Sequence, residues 1–279
     1  MNNSQISKPF ISIILPAIRQ DRWDDLYDSV LLACKKYSFE LIFCGPLPLT
    51  EKLQSLVDVK YAKDLGSPTR ASNIACSLAE GLLITWIADD CLMIEDSIDN
   101  NIDLLLSMGD NKRNVVIQKY FEAGNITKNE YLIINNSRNG SPYFNNSWVG
   151  FNNPIMYREY YESLGGLDAY FDACPTAHND LAIRAQAQGA IVKISEFPFL
   201  NCGWMEGGTG DHKAIYLSQE QVDEPKFRHR YHNPAWNLNE LNIPIDNWKN
   251  TETVWSVRFK KGIPKTYQSI LDENESASL

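Results

Sequence analysis

Through the first hundred residues, short apolar runs alternate with amphipathic stretches. Phe10–Leu15 (FISIIL) is almost wholly apolar and closed by Pro16, the pattern of a strand buried on both faces. Asp21 then offers an N-cap, Asp24 and Asp25 suit a first helical turn, and Trp23, Leu26, Tyr27, Val30, Leu31 and Cys34 recur at helical spacing. Phe39–Cys44 (FELIFC) reads as a second buried strand ended by Gly45-Pro46. Strand, helix, strand predicts a right-handed crossover and a parallel sheet. Glu51–Val57 reads as a short helix and Val59–Ala62 as a short strand. Ser67-Pro68 opens another helix, with Ser as cap and Pro in the first turn, and Gly81 ends it. Leu82–Ile87 (LLITWI) is a third apolar strand that runs straight into Ala88-Asp89-Asp90, and a helix is expected over Asp96–Ser107.

From Asn114 the pattern changes. Val115–Phe121 and Tyr131–Ile134 read as strands that need not be parallel, and Asn135–Asn146 is a polar Asn/Ser/Gly loop. Tyr157–Leu164 and Asp180–Gln188 read as helices, Ala190–Ile194 as a strand and Gly207–Gly210 as a loop with the glycine content of a lid over a ligand. Beyond about Pro225 the chain is aromatic and basic with little periodicity, and Asp272–Leu279 reads as a frayed tail.

Composition narrows the class. A 44% apolar fraction supports a core, and a net charge of -9 argues against a general nucleic-acid binder. The six cysteines form no C-x-x-C pair and several sit in apolar runs, so free thiols and a cytoplasmic home are expected. The N-terminus shows no signal-peptide pattern and no run is long enough to span a bilayer, which leaves only peripheral membrane contact open.

Four groups could carry chemistry. Asp89 and Asp90 follow a buried strand, where open α/β sheets bind ligands, and paired carboxylates there suit a hard divalent cation; a solvated acidic turn would read the same. Arg70 falls in the first turn of a helix, unfavourable for a cation unless an anion is near; an exposed arginine is the plainer reading. Gly165-Gly166-Leu167-Asp168 leads to His178-Asn179-Asp180, where Asp180 could simply cap a helix. Asp211-His212 follows the glycine loop.

In their order along the chain, these pieces resemble the inverting GT-A glycosyltransferases (glycosyltransferase family 2-like). The match runs from ISIILPAIRQ through SPTRASNIACSLAEGLLITWIADD to YREYYESLGGLDAYFDACPTAHNDLAIRAQAQG. The resemblance implies an α/β GT-A fold, a Rossmann-like nucleotide-binding half with a mostly parallel sheet fused to a mixed-sheet acceptor half. It divides the chain into a domain over 1–225 (about 9–110 for the nucleotide sugar, 111–225 for the acceptor) and a C-terminal extension, 226–279. It places Pro16, Ala17, Arg19, Arg70, Asn73, Asp89 and Asp90 on the donor, and Trp148, Asn179 and Trp204 on the acceptor side. It makes Asp90, Asp89 and His212 ligands of Mn2+ or Mg2+, and Asp180 the catalytic base. The implied partners are a nucleoside-diphosphate sugar and a hydroxyl acceptor, glycan or lipid-linked. There are three departures from the family pattern: Ala88 at the first acid of Asp-x-Asp, Asn179 at the glutamate of Glu-Asp, and Cys44-Gly45 where many relatives carry a base-contacting aspartate. A nucleotidyltransferase would need a glycine-rich loop after the first strand, which Pro16–Gln20 is not; a non-catalytic sugar-nucleotide or glycan-binding relative is the reading that the departures favour.

Overall fold

The computed structural model describes residues 8–134, 148–203, 210–231, 243–250, 254–259 and 262–275. β1 (Ile11–Pro16), α1 (Trp23–Ala33), β2 (Phe39–Gly45), α2 (Glu51–Gln54), β3 (Val59–Lys63), α3 (Pro68–Ser77) and β4 (Leu83–Trp86) form the first half. β5 (Cys91–Met93), α4 (Ser97–Ser107), β6 (Asn114–Glu122), β7 (Asn125–Ile126), β8 (Ile133–Ile134), β9 (Trp148–Val149), β10 (Pro154–Tyr157) and α5 (Arg158–Ser163) follow. The rest comprises α6 (Cys174–Ala187), β11 (Ile191–Cys202), α7 (Lys213–Ser218), α8 (Glu224–Tyr231) and α9 (Tyr267–Glu275).

The main sheet runs β3-β2-β1-β4-β10-β6-β11-β5, with β7 beside β6. β1, β2, β3 and β4 pair in parallel, as continuous apolar strands joined by helices require. β10 is antiparallel to both β4 and β6, so the sheet becomes mixed where the periodicity changes. β11 runs parallel to β6 and antiparallel to the edge strand β5. This is the expected GT-A-like arrangement of a parallel half joined to a mixed half. Because β1, β2 and β4 end at the same edge, the loops after Pro16, Gly45 and Trp86 gather there.

Several boundaries depart from the sequence reading. Asp21 lies in a short 3-10 turn, Gln20–Arg22, and does not cap α1; the cap position is Arg22. Ser67 does cap α3, accepting from the Arg70 amide. α6 begins at Cys174 with Pro175 in its first turn, so Asp180 sits well inside the helix rather than at its start. β5 has no counterpart in the apolar pattern, and α9 occupies much of the stretch read as a frayed tail. The 135–146 loop and residues 204–209, including Trp204 and most of the glycine loop, lie outside the described residues. All six cysteines are free thiols, and no described helix is long and apolar enough to cross a membrane.

Candidate functional site

A cavity of about 400 Å³ opens where β1, β2 and β4 end. One part of its lining is apolar and backbone-rich: Pro16, Ala17, Cys44, Gly45, Pro46 and Ala71. Gly45 is required there, because a Cβ would stand 1.8 Å from the Ala17 carbonyl oxygen. Another part is charged and holds Arg19, Asp89, Asp90, His212 and Arg258. Asp64 and Glu122 also reach the cavity.

The charged part is built around Arg19. Asp89, at the end of β4, accepts the backbone amides of Ile18 (2.6 Å) and Arg19 (2.7 Å) and the Trp23 indole N–H on Oδ2, and the Arg19 guanidinium on Oδ1. Both its oxygens are therefore taken, and its task is to hold the loop after β1. That corrects the expectation of Asp89 as a metal ligand. Arg19 Nε donates to Asp211 Oδ2 at 2.6 Å and Nη2 lies 3.5 Å from Asp90. Burial opposes the charge on Arg19, but Asp89, Asp90 and Asp211 outweigh it and hold its pKa well above the usual value. Asp90 Oδ2 faces His212 Nε2 at 3.3 Å. Burial alone would raise the Asp90 carboxyl; the contact with His212 and the Arg19 charge outweigh it and keep it below the ordinary range.

Among the described residues no group of three or more His, Cys, Asp or Glu side chains is arranged to hold a metal. Asp90 and His212 face each other in the cavity lining, a carboxylate oxygen and an imidazole nitrogen of the kinds that suit Mn2+. The local charge fits this: Asp89, Asp90 and Asp211 face two cations, Arg19 and Arg258, and the net negative balance is one that a cation relieves.

Three other expected site residues are placed elsewhere. Asp180 is wholly buried, 0% exposed, and its carboxylate takes Arg184 Nε at 2.8 Å, Arg230 Nη1 at 2.7 Å and the Tyr231 hydroxyl at 2.5 Å. Burial would raise its pKa, but the two arginines and the tyrosine hold it low. A sealed, strongly acidic carboxylate with every partner in place does not serve as a base, and Asp180 is not in the cavity lining. Arg184 instead uses it as an anchor while donating to the Leu164 and Gly166 carbonyls, which fixes the Gly-Gly-Leu-Asp turn. Arg70 pairs with Asp64 at 3.1 Å, donates to the Trp248 carbonyl at 2.6 Å and lies over the Trp248 ring, so it braces the C-terminal segment rather than facing a donor. Asn73 donates to the Leu167 carbonyl and accepts from the Tyr161 hydroxyl and the Leu167 amide, again a clamp on that turn.

Pro16, Ala17, Arg19, Asp89, Asp90 and His212 thus meet at one cavity. Trp148 opens β9, and Asn179 lies on α6 against Gly150; neither lines the cavity. His178, beside Asn179, stacks on Trp86, and burial pushes its pKa down to about 3. The sequence reading did not single out Asp64, Glu122 or Arg258. Asp64 follows a strand end and was within reach of the positional argument; Arg258 stands in a stretch without periodicity and gave no signal.

No family model and no curated protein matches the chain. Solved structures do. The crystal structure of residues 1–349 of S. aureus TarS aligns at a TM-score of 0.51 and 11% identity, covering 78% of this chain and 68% of that one. The same TarS fragment in complex with UDP aligns equally well, and its UDP-GlcNAc complex matches at 0.51 and 11% over 78% and 69%. At that identity the likeness speaks to the backbone alone, and what it shows is a GT-A-like α/β fold.

Proposed function

We propose that the chain is a glycosyltransferase that takes a sugar from a nucleoside-diphosphate carrier to an acceptor hydroxyl. The observation that carries this is the two-part cavity at the ends of β1, β2 and β4. Its apolar, backbone-lined part suits a flat nucleobase, and its charged part suits a diphosphate. The UDP and UDP-GlcNAc complexes of TarS make uridine nucleotides the first donors to test.

The transfer is read as an inverting, single displacement in which the acceptor hydroxyl attacks as the diphosphate leaves. Asp90 and His212 would hold a divalent metal, which when bound supplies Lewis-acid stabilisation to the leaving diphosphate. Arg19, fixed by three carboxylates, keeps Asp90 ionised and oriented. With Asp180 sealed, the proton acceptor is sought among cavity carboxylates. Glu122, at the end of β6, is exposed and has no side-chain partner among the described residues, so it is the residue to test.

The experiment is release of free nucleoside diphosphate from a panel of nucleotide sugars with glycan acceptors, with manganese and with chelator, alongside calorimetric binding of the diphosphates. Binding and release that fall in chelator support the reading. A chain that binds no nucleoside diphosphate under either condition is not this enzyme. Binding without release from any donor favours the non-catalytic relative.

A further inference from the structure

The residues after the second half of the sheet are not a detached appendage. Val254 bridges Leu65, the Trp255 amide donates to the Leu65 carbonyl at 2.7 Å, and the Trp255 indole donates to Asp172. Trp255 and Phe259 pack with Ala214 in a small apolar cluster of their own. Farther along, the Tyr267 hydroxyl donates to Asp211 Oδ2 at 2.6 Å, the same oxygen that receives Arg19. The segment is therefore sewn to the cavity at several points, and it carries Arg258 into the lining.

Arg258 is 6% exposed. Its Nη2 donates to the Asp211 backbone carbonyl at 2.8 Å and its guanidinium lies over the Trp255 ring. Its Nε is buried with no partner among the described residues, and no carboxylate there lies at ion-pair distance from it. The other buried arginines differ: Arg19, Arg70, Arg184 and Arg230 each hold at least one carboxylate directly. A guanidinium offers five N–H donors in a fixed fork, and leaving a buried one of them without an acceptor is costly. The cavity it lines is the place from which an anion can come.

We infer that Arg258, delivered by the C-terminal segment, is an anion-binding residue of the donor site and takes an oxygen of the donor's diphosphate. This rests on the nucleotide-sugar reading for the identity of the anion, but the cation itself is defined by its burial, its open Nε and its place in the cavity wall. The segment is then an integral wall of the site. Arg258 and the Asp90–His212 pair reach the anion separately, one as a fork of N–H donors and the other through a metal.

The test is titration of the full chain with UDP, with uridine and with inorganic pyrophosphate, for wild type, Arg258→Gln and Arg258→Lys. The expected result is a loss of about 10- to 100-fold in UDP and pyrophosphate affinity for Arg258→Gln, partial recovery with Arg258→Lys, and unchanged uridine affinity. Equal UDP and pyrophosphate affinities in wild type and Arg258→Gln would overturn the inference. So would a parallel loss of uridine binding, which marks a structural arginine. A wild type that binds pyrophosphate through Arg258 but no nucleotide would defeat the glycosyltransferase reading and leave the anion site standing. Binding of none of the three defeats both.

Discussion

Two charged clusters, one around α6 and one where β1 and β4 end, are built differently. Around α6, Asp168 and Asp180 meet Arg230 and Arg184: two anions, two cations, all buried, with Tyr231 filling a remaining place on Asp180. At the ends of β1 and β4, three carboxylates meet two arginines and an imidazole, and the ensemble faces a cavity. The first cluster balances its charges within itself. The second leaves a net negative charge, one buried guanidinium N–H without a partner among the described residues, and a cavity lined by Asp90 and His212. Balanced and sealed groups hold a fold together; unbalanced groups at a cavity are where chemistry is done.

The comparison can be broken. Asp180→Asn should lose about 3–5 kcal/mol of stability, because buried Arg184 loses its carboxylate and buried Arg230 keeps only Asp168. Denaturant melts of the variant check this, and a change below 1 kcal/mol would put Asp180 back among functional residues. Asp90→Asn should do the opposite, leaving stability nearly unchanged while manganese-dependent UDP affinity falls about 10- to 100-fold. If calorimetry shows equal affinity for mutant and wild type with and without chelator, the metal reading of Asp90 is lost.

His178 sharpens the boundary between the clusters through pH. Its pKa is low in the fold, about 3, against an ordinary 6.5 when unfolded. The unfolded chain therefore binds the extra proton in that window, so this contribution to stability is intact above pH 6.5 and shrinks as pH falls toward 3. At pH 5 the loss is about 2 kcal/mol. His178→Phe keeps an aromatic ring against Trp86 and should flatten this part of the acid melt; an identical pH profile would show that the ring is solvated. The smallest effect belongs to Arg70→Ala, about 1–2 kcal/mol of stability from its Asp64 and Trp248 contacts, with UDP affinity unchanged. A selective loss of UDP binding would return Arg70 to the donor side.

The parallel half was legible because both faces of its strands are buried, which leaves continuous apolar runs and a clear capped helix at Ser67-Pro68. The placing of Asp89 and Asp90 at a strand end followed from the same runs. What those runs do not encode is which oxygen is already spoken for: Asp89 is saturated by amides more than sixty residues away in sequence, and only three-dimensional pairing shows it. Asp180 was misplaced because Cys174–Asn179 lacks apolar periodicity, although Pro175 and the Asp180–Arg184 spacing both fit a helix already under way. Arg258 had no local pattern at all, since its neighbours Trp255 and Phe259 pack on loops rather than on a repeating helix or strand face.

The Arg19–Asp211 pair joins positions 192 residues apart. On a ribosome adding about 5–20 residues per second, Arg19 is made some 10–40 s before Asp211. Until then Arg19 has only Asp89 and Asp90 of its three carboxylates, and Arg258 arrives later still. The chain is thus made with the apolar lining, Arg19, Asp89 and Asp90 first and with Asp211, His212 and Arg258 last, so the cavity wall stays incomplete at least until residue 258 has been added.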